Sequence, residues 1–195
     1  GVLQGGTATL AAGMAIRPAA AATADGATTD WDAIVVGAGV FGAWTALQLR
    51  RLGRRVLLVD AWGPAHARAS SGGESRMTRA VYGDAEIYTR MATDALAEWR
   101  ALSARSPLPL FHNTGVLFLF QSEVPYATRS IAVQRAAGLP LAVLERDQLS
   151  ARFPQIAGDD IAFGLYEPTF GALMARRAVM TTVAFLGWTL VSVPH

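Results

Sequence analysis

The sequence contains no cysteine and no lysine, and only three histidines. Without cysteine the chain cannot form disulfides, thiolate metal sites or a cysteine nucleophile. The histidines, His66, His112 and His195, lie far apart in the sequence and form no pair with the spacing of metal ligands. We therefore expect no metal site in this chain.

The charge balance is nearly even, because 17 basic residues, all of them arginine, face 15 acidic ones and leave a net charge of +2. The acidic residues are spread along the chain, so no basic surface of the kind that binds nucleic acid is indicated. A hydrophobic content of 52% with 16% charged residues is typical of a globular core. The length of 195 residues allows one domain or two small ones.

Residues 1–30 differ from the rest of the chain in their low complexity and their richness in alanine, glycine and threonine. A weakly apolar run precedes Ala22-Thr23-Ala24, a small-residue motif of the kind that signal peptidases cleave. The run is similar to the apolar part of a twin-arginine leader, although the arginine pair is absent. We predict export with cleavage after Ala24. A disordered leader on a cytoplasmic protein is the alternative.

The stretch 31–60 carries the strongest pattern in the chain. A short apolar strand, Ala33–Val36, predicted to be buried on both faces, ends at a G-x-G-x-x-G formed by Gly37, Gly39 and Gly42. A helical pattern follows, and a second apolar strand ends at Asp60. The apolar stripe predicted for that helix comprises Val40, Phe41, Trp44, Leu47 and Leu52.

This order of elements predicts a dinucleotide-binding unit. Gly37 allows a tight turn out of the strand, Gly39 lets the backbone approach a pyrophosphate, and Gly42 lets helix and strand pack closely. The helix N-terminus offers free N–H groups to the phosphates. Asp60, at the end of the second strand, is placed to accept hydrogen bonds from a ribose. A glycine turn without a ligand is the alternative, and the unit alone does not distinguish FAD from NAD.

A second segment of interest runs from Ser70 through Ser71, Gly72 and Gly73 to two arginines, Arg76 and Arg79. Ser71 and Glu74 fit a capping box, which predicts a short helix here. On a helix the two arginines would share one face and could bind an anion. An arginine pair on a solvated surface is the alternative.

The remainder of the chain alternates helical and strand patterns. Residues 84–105 predict an amphipathic helix with a buried stripe of Ile87, Met91, Ala95, Trp99 and Leu102. Strands are predicted at 115–120, 141–144 and 162–166, a helix at 124–137, a helical turn at 147–153 and another helix from Leu173.

The last part of the chain carries no charge from Ala178 to Val193. A helix packed on a sheet should keep a polar face. We therefore expect a truncated chain whose end is out of frame after about Ala184. A membrane span is the other interpretation, although the run is shorter than the ~20 residues that a span needs.

The chain resembles the FAD-dependent amine oxidases of the monomeric sarcosine oxidase and N-methyltryptophan oxidase type, from about Trp31 to Ala184. The shared motifs are the I-V-V-G-A-G turn, V-L-L-V-D-A, S-S-G-G-E-S-R-M-T-R-A-V-Y-G, T-G-V-L-F and E-P-T-F-G-A-L. The resemblance implies an α/β fold with a Rossmann-like parallel FAD-binding sheet and part of a second, mixed α+β substrate domain, truncated at the C-terminus. Residues 1–30 would be the leader, 31–106 the FAD-binding part, 107–172 the partial substrate domain, and 173–195 a return helix with an aberrant apolar tail.

The resemblance also implies the chemistry: oxidation of the CH–NH bond of a secondary amine or amino acid by FAD and O2, giving an imine and H2O2. By motif position, Gly37, Gly39, Gly42 and Asp60 would hold the ADP half of FAD. The 70–73 loop would pass near the flavin, with Arg76 beside the ring and Arg79 binding a substrate carboxylate, a task suited to a guanidinium.

The sequence departs from the family at several places. Gly72 stands where a histidine is common, so substrate choice or flavin electronics would differ. Relatives use a cysteine for covalent flavin attachment and lysines near the flavin, all in a C-terminal half that this sequence lacks. We therefore expect the 195-residue chain alone to be inactive as an oxidase. Another FAD or NAD oxidoreductase that shares only the glycine motif, or a non-catalytic fragment, is the alternative.

Overall fold

The structure is a computed structural model that describes residues 30–158, 160–187 and 190–192, the last three by their backbone alone. The predicted leader, residues 1–30, lies outside the described residues except for Asp30, and its export therefore stays a prediction. The elements described below all belong to the unit that begins at Trp31.

Five helices and nine strands are described. The helices are α1 (Val40–Arg51), α2 (Glu86–Ala104), α3 (Pro125–Ala136), α4 (Arg146–Arg152) and α5 (Ala175–Ala184). The strands are β1 (Ala33–Val36), β2 (Val56–Asp60), β3 (Arg76–Met77), β4 (Phe111–His112), β5 (Val116–Phe120), β6 (Ala142–Glu145), β7 (Phe163–Glu167), β8 (Ala172–Leu173) and β9 (Leu190–Ser192).

A parallel sheet with the order β1-β2-β9 organises the unit around the glycine motif. β1 and β2 pair in parallel register, with Ala33 opposite Val56, and α1 forms the crossover between them. β9 joins the other edge of β2, also in parallel. Parallel strands require such crossovers, and a helix supplies them. The predicted α/β fold with a parallel sheet is confirmed.

The first βαβ unit is less buried than predicted, because one face of β1 is exposed. Ile34 and Val36 of β1 are 62% and 82% exposed, so only one face of the strand is covered within the described chain. On α1 the buried face consists of small residues and Leu47, whereas Phe41 and Leu52 of the predicted stripe are 84% and 73% exposed. Close packing of α1 on the sheet therefore depends on alanines that a count of large apolar residues overlooks.

Two further sheets are antiparallel. β3, β8 and β4 form one, with β8 in the middle, and β5, β7 and β6 form the other, with β7 in the middle. Through its pairing with β8, the strand that contains Arg76 lies beside the residues just before α5. The division into a FAD-binding part at 31–106, a substrate part at 107–172 and a terminal part at 173–195 stays a prediction.

Helix α2 forms where expected but buries a different stripe. Leu96, Trp99 and Leu102 are buried, as is Thr89, while Ile87 and Met91 are 49% and 57% exposed. The first turns of α2 thus keep apolar side chains on the surface, because Thr89 takes the inner position to donate a hydrogen bond to the Ala80 carbonyl.

The C-terminal residues continue the fold as far as they are described. α5 buries Ala178, Val179 and Thr182, and packs on α1, after which β9 returns to the sheet. Its outer face remains uncharged beyond Arg177, with Met180 and Phe185 partly exposed. A change of reading frame after Ala184 stays a prediction. Among the described residues, no helix is both long and apolar enough to cross a membrane.

Candidate cofactor and carboxylate site

The glycine turn between β1 and α1 is sterically required. Gly37 has a φ of +99°, a conformation that favours glycine. A Cβ placed on Gly42 would lie 1.8 Å from the Gly37 carbonyl oxygen, well inside van der Waals contact. The structure therefore assigns Gly42 the close packing of helix and strand that its place in the motif predicted.

Gly39 has a different role, since the protein itself does not demand a glycine there. It is the N-cap of α1 in an extended conformation, and no side chain in the described chain caps the helix. A Cβ on Gly39 would make only ordinary contacts, 3.9 Å from Ala69 Cβ and 4.0 Å from Ser71 Oγ. The N–H groups of the first turn of α1 lie beside this loop, and the N-terminus of a helix favours an anionic group.

Ser71 supplies a second polar group beside the α1 N-terminus. Its side chain is 6% exposed, and its Oγ is buried without a hydrogen-bond partner among the residues that the structure describes. A buried hydroxyl without a partner costs about 1–3 kcal/mol. A phosphate bound between Ser71 and the start of α1 would accept its hydrogen bond. A buried hydroxyl beside the α1 N-terminus thus fits the pyrophosphate of a dinucleotide. The place predicted for the 70–73 loop, near the flavin, stays a prediction.

Asp60 holds the glycine turn in place. One carboxylate oxygen, Oδ2, accepts the Ala38 N–H at 2.7 Å, and Oδ1 accepts the Trp62 N–H at 2.8 Å. The side chain is half-buried. Each oxygen can still accept a second hydrogen bond, so the carboxylate can fix the turn and also receive ribose hydroxyls. The ribose contact stays a prediction.

The segment that follows the 70–73 loop is not a helix, so the helix predicted from Ser71 and Glu74 is wrong. The loop makes turns and then enters β3, where Arg76 and Met77 pair with β8. Arg76 closes the loop instead, because its guanidinium donates to the Ser70 carbonyl at 2.7 Å and the Ser75 carbonyl at 2.9 Å. Sheet pairing over long range overrides the local capping signal here.

Gly72 cannot carry a side chain in this loop. A Cβ there would lie 2.6 Å from the His66 carbonyl oxygen and 2.8 Å from the Ala67 backbone. The histidine that the resemblance leads one to expect at this position would require the loop to open. Glycine at position 72 therefore permits the close approach of this loop to the backbone of His66 and Ala67.

Arg79 is held by aromatic rings. Its guanidinium carbon lies 4.9 Å from the ring centroid of Tyr82 and 5.8 Å from that of Phe118. It makes no hydrogen bond or ion pair with the other residues that the structure describes. A stacked guanidinium with free N–H donors is suited to binding a carboxylate. The prediction that Arg76 and Arg79 share a helix face is wrong, because neither residue lies in a helix.

The residue that sequence reasoning missed is Glu167. It is fully buried at the end of β7, and its Oε1 accepts the Ala80 N–H and the Gln134 Nε2–H, both at 2.8 Å. Burial raises the pKa of the Glu167 carboxyl, while these two hydrogen bonds and the charge of Arg79 act in the opposite direction. A carboxylate at the end of an apolar strand, directly before a proline, was the available signal.

The raised pKa of Glu167 predicts a pH-dependent stability. In the window between the ordinary glutamate pKa and the raised pKa, the folded state binds more protons than the unfolded state, so the free energy of unfolding falls as pH rises. Glu167→Gln cannot titrate, and its stability should lack this fall. Urea unfolding of both proteins between about pH 4 and 8 checks this. Parallel profiles would contradict the prediction.

The geometry described above coincides with a sequence match to a known family. The profile described as FAD dependent oxidoreductase matches residues 32–185. The chain belongs to the FAD dependent oxidoreductase family. The match includes the glycine turn, Asp60, the 70–73 loop, Arg79 and Glu167. FAD is the cofactor of this family, so the prediction of FAD over NAD is confirmed.

Relatives within the FAD dependent oxidoreductase family include monomeric sarcosine oxidase of Bacillus sp. (strain B-0618), 31% identical over 78% of this chain and 39% of the relative. N-methyl-L-tryptophan oxidase of Citrobacter koseri is 31% identical over 78% of this chain and 41% of the relative. A modified fructosyl peptide oxidase from Aspergillus nidulans superposes with a TM-score of 0.70 at 23% identity, covering 84% of this chain and 40% of that structure. The chain thus spans about 40% of the length of the curated relatives that it matches. The predicted resemblance is confirmed.

Proposed function

We propose that this chain forms the dinucleotide-binding and carboxylate-binding part of an FAD-dependent oxidoreductase acting on a secondary amine or amino acid similar to sarcosine. The observation that supports this most directly is the Ser71 hydroxyl beside the α1 N-terminus, which is buried and has no hydrogen-bond partner in the described chain. The sarcosine and N-methyltryptophan oxidases among the relatives support this substrate class.

Bound FAD would supply a two-electron acceptor that takes a hydride from the carbon beside the amine nitrogen and passes the electrons to O2, yielding imine and H2O2. The chain's own residues bind and orient. Gly39 and Ser71 would contact the pyrophosphate, and Asp60 the ribose. Arg76 would stabilise the loop beside the flavin. Arg79 would pair with the substrate carboxylate and so place the reacting carbon. Turnover by the 195-residue chain alone is not expected.

The test of FAD binding uses Gly39→Ala. The added Cβ meets no protein atom closer than 3.9 Å, so the fold should remain, with a loss at the N-cap below about 1 kcal/mol. The methyl group would enter the space proposed for the pyrophosphate. We expect the purified chain to retain FAD absorbance on gel filtration, and Gly39→Ala to bind FAD at least about tenfold more weakly.

The matched control is Gly138→Ala, which adds the same methyl group at a position with a φ of +65° and open space around it. It should lose about 1 kcal/mol of stability through backbone strain but keep FAD binding. Retention of NAD without flavin by the parent chain, or equal FAD affinity in both variants and the parent, would overturn the proposed cofactor site.

We further propose that residues 1–24 form an export signal that is cut after Ala24. The apolar run before the small-residue motif supports this. When the chain is expressed in a bacterium behind an initiating methionine, the exported protein should begin at Asp25 on N-terminal sequencing. Ala24→Asp should block cleavage. Recovery of the uncleaved chain from the cytoplasm alone would favour the alternative location.

A further inference from the structure

Arg79 begins a buried segment that has no regular secondary structure. Ala80 and Val81 are fully buried, yet residues 79–83 belong to no described helix or strand. Side chains of neighbouring elements bind the backbone instead. Thr89 of α2 donates to the Ala80 carbonyl at 2.9 Å, Tyr126 of α3 donates to the Val81 carbonyl at 2.7 Å, and Ser130 of α3 accepts the Gly83 N–H at 2.8 Å.

Glu167 makes a further hydrogen bond to the backbone of residues 79–83, at the peptide group that directly follows Arg79. Its Oε1 accepts the N–H of Ala80 and the side-chain amide of Gln134. Burying a carboxyl group is costly unless it is hydrogen-bonded. An apolar residue at this position would leave the Ala80 N–H without an acceptor. The side chain therefore connects β7, α3 and the segment that carries Arg79.

The geometry of the peptide unit explains how this contact reaches Arg79. The N–H that Glu167 binds belongs to the peptide plane between Arg79 and Ala80, so its orientation sets the ψ angle of Arg79. The direction in which the Arg79 side chain leaves the backbone follows from that angle. The guanidinium then meets the rings of Tyr82 and Phe118, which support it without occupying its N–H donors.

We propose that Glu167 is a positioning residue that fixes the guanidinium of Arg79 for a substrate carboxylate. It does so by holding the Ala80 amide N–H. The identity of the ligand rests on the proposed function, whereas the positioning of Arg79 does not. Glu167 itself touches neither substrate nor cofactor.

The first measurement needs no ligand. In 15N- and 13C-arginine-labelled chain, the Arg79 signals, identified by their loss in Arg79→Lys, should be shifted by the two rings away from their positions in urea. In Glu167→Ala they should move at least about half of the way to those positions, because the aromatic contact is lost. Glu167→Gln retains an acceptor for the Ala80 N–H and should keep the shifts.

The matched control is Ser130→Ala. It removes the hydroxyl of α3 that accepts the Gly83 N–H, which is another buried contact to the backbone of residues 79–83. All variants are compared under conditions in which their unfolding curves show that the folded state dominates. Ser130→Ala should lose stability without moving the Arg79 signals. If Glu167→Ala does not fold, Glu167→Asp withdraws the carboxylate by one methylene and should displace the same signals. Unchanged Arg79 signals in the folded Glu167 variants, or equal displacement by Ser130→Ala, would overturn the proposal.

A second titration separates this proposal from the proposed function. Sarcosine should shift the Arg79 Nε–H signal, sarcosine amide should not, and Glu167→Ala should weaken the sarcosine response by about tenfold. If sarcosine has no effect while the ring shifts still depend on Glu167, positioning holds and the carboxylate role of Arg79 is refuted. If sarcosine binds equally in the parent and in Glu167→Ala with unchanged ring shifts, the positioning role is refuted alone.

Discussion

Gly42→Ala is expected to disrupt the first βαβ unit and to abolish FAD binding along with it. The new Cβ would lie 1.8 Å from the Gly37 carbonyl oxygen and 3.0 Å from its carbonyl carbon. Backbone atoms cannot rotate away as the end of a long side chain can, so α1 must move off β1. Overpacking of this kind costs about 3 kcal/mol or more. Urea unfolding followed by tryptophan fluorescence measures the loss.

The control for this variant is Gly39→Ala, the same substitution three residues earlier in the motif. Its Cβ meets only side-chain atoms at ordinary distances, so it should unfold at nearly the urea concentration of the parent chain. The two variants thus separate a glycine required by packing from a glycine that leaves room for a ligand. A Gly42→Ala protein as stable as Gly39→Ala would show that the helix and strand do not pack as described.

Asp60→Ala should weaken both the glycine turn and the cofactor site. The substitution leaves the Ala38 and Trp62 N–H groups without their carboxylate acceptor. Because the Ala38 contact is only partly buried and the Trp62 contact is exposed, we expect a loss of about 2 kcal/mol in the free energy of unfolding. FAD affinity should fall by about a hundredfold, since the turn loosens and the predicted ribose acceptor is removed. FAD titration followed by flavin fluorescence provides the second measurement.

Asp32→Ala is the matched control at the opposite end of the same strands. Its carboxylate also joins β1 to the start of β2, accepting the Arg55 N–H at 2.7 Å and binding the Arg55 guanidinium. The hydrogen bonds from Arg55 lower the pKa of Asp32. Both groups are solvent-exposed, so the loss should be small, and FAD affinity should not change. Equal loss of FAD affinity in both variants would refute a specific role for Asp60.

Local pattern predicted the dinucleotide unit well. The apolar strands, the three glycines and Asp60 lie within 30 consecutive residues of a single βαβ unit, and their roles depend mainly on backbone geometry over short range. Burial was predicted less well. Phe41 and Leu52 are exposed while Ala43 and Ala46 are buried, because the face of α1 that packs in the core carries mainly small side chains.

The segment from Ser71 to Arg79 shows where local pattern fails. The capping signal of Ser71 and Glu74 predicted a helix, but pairing of Arg76 and Met77 with β8, nearly 100 residues later, makes the segment a strand. Pairing between distant segments carries no local periodicity. The segment that follows Gly73 was therefore predicted with the wrong secondary structure.

The sequence by itself determined the parallel βαβ unit, because this unit depends on residue types at fixed short spacings. The family and its FAD cofactor followed from the resemblance of the motifs to known oxidases. Only the tertiary structure decided that Ser71 faces Gly39, that Arg79 rests on aromatic rings, and that Glu167 holds the adjoining amide. Each of these contacts joins residues from separate elements. Their free energy comes from burial and hydrogen bonding that exist only after the chain has folded.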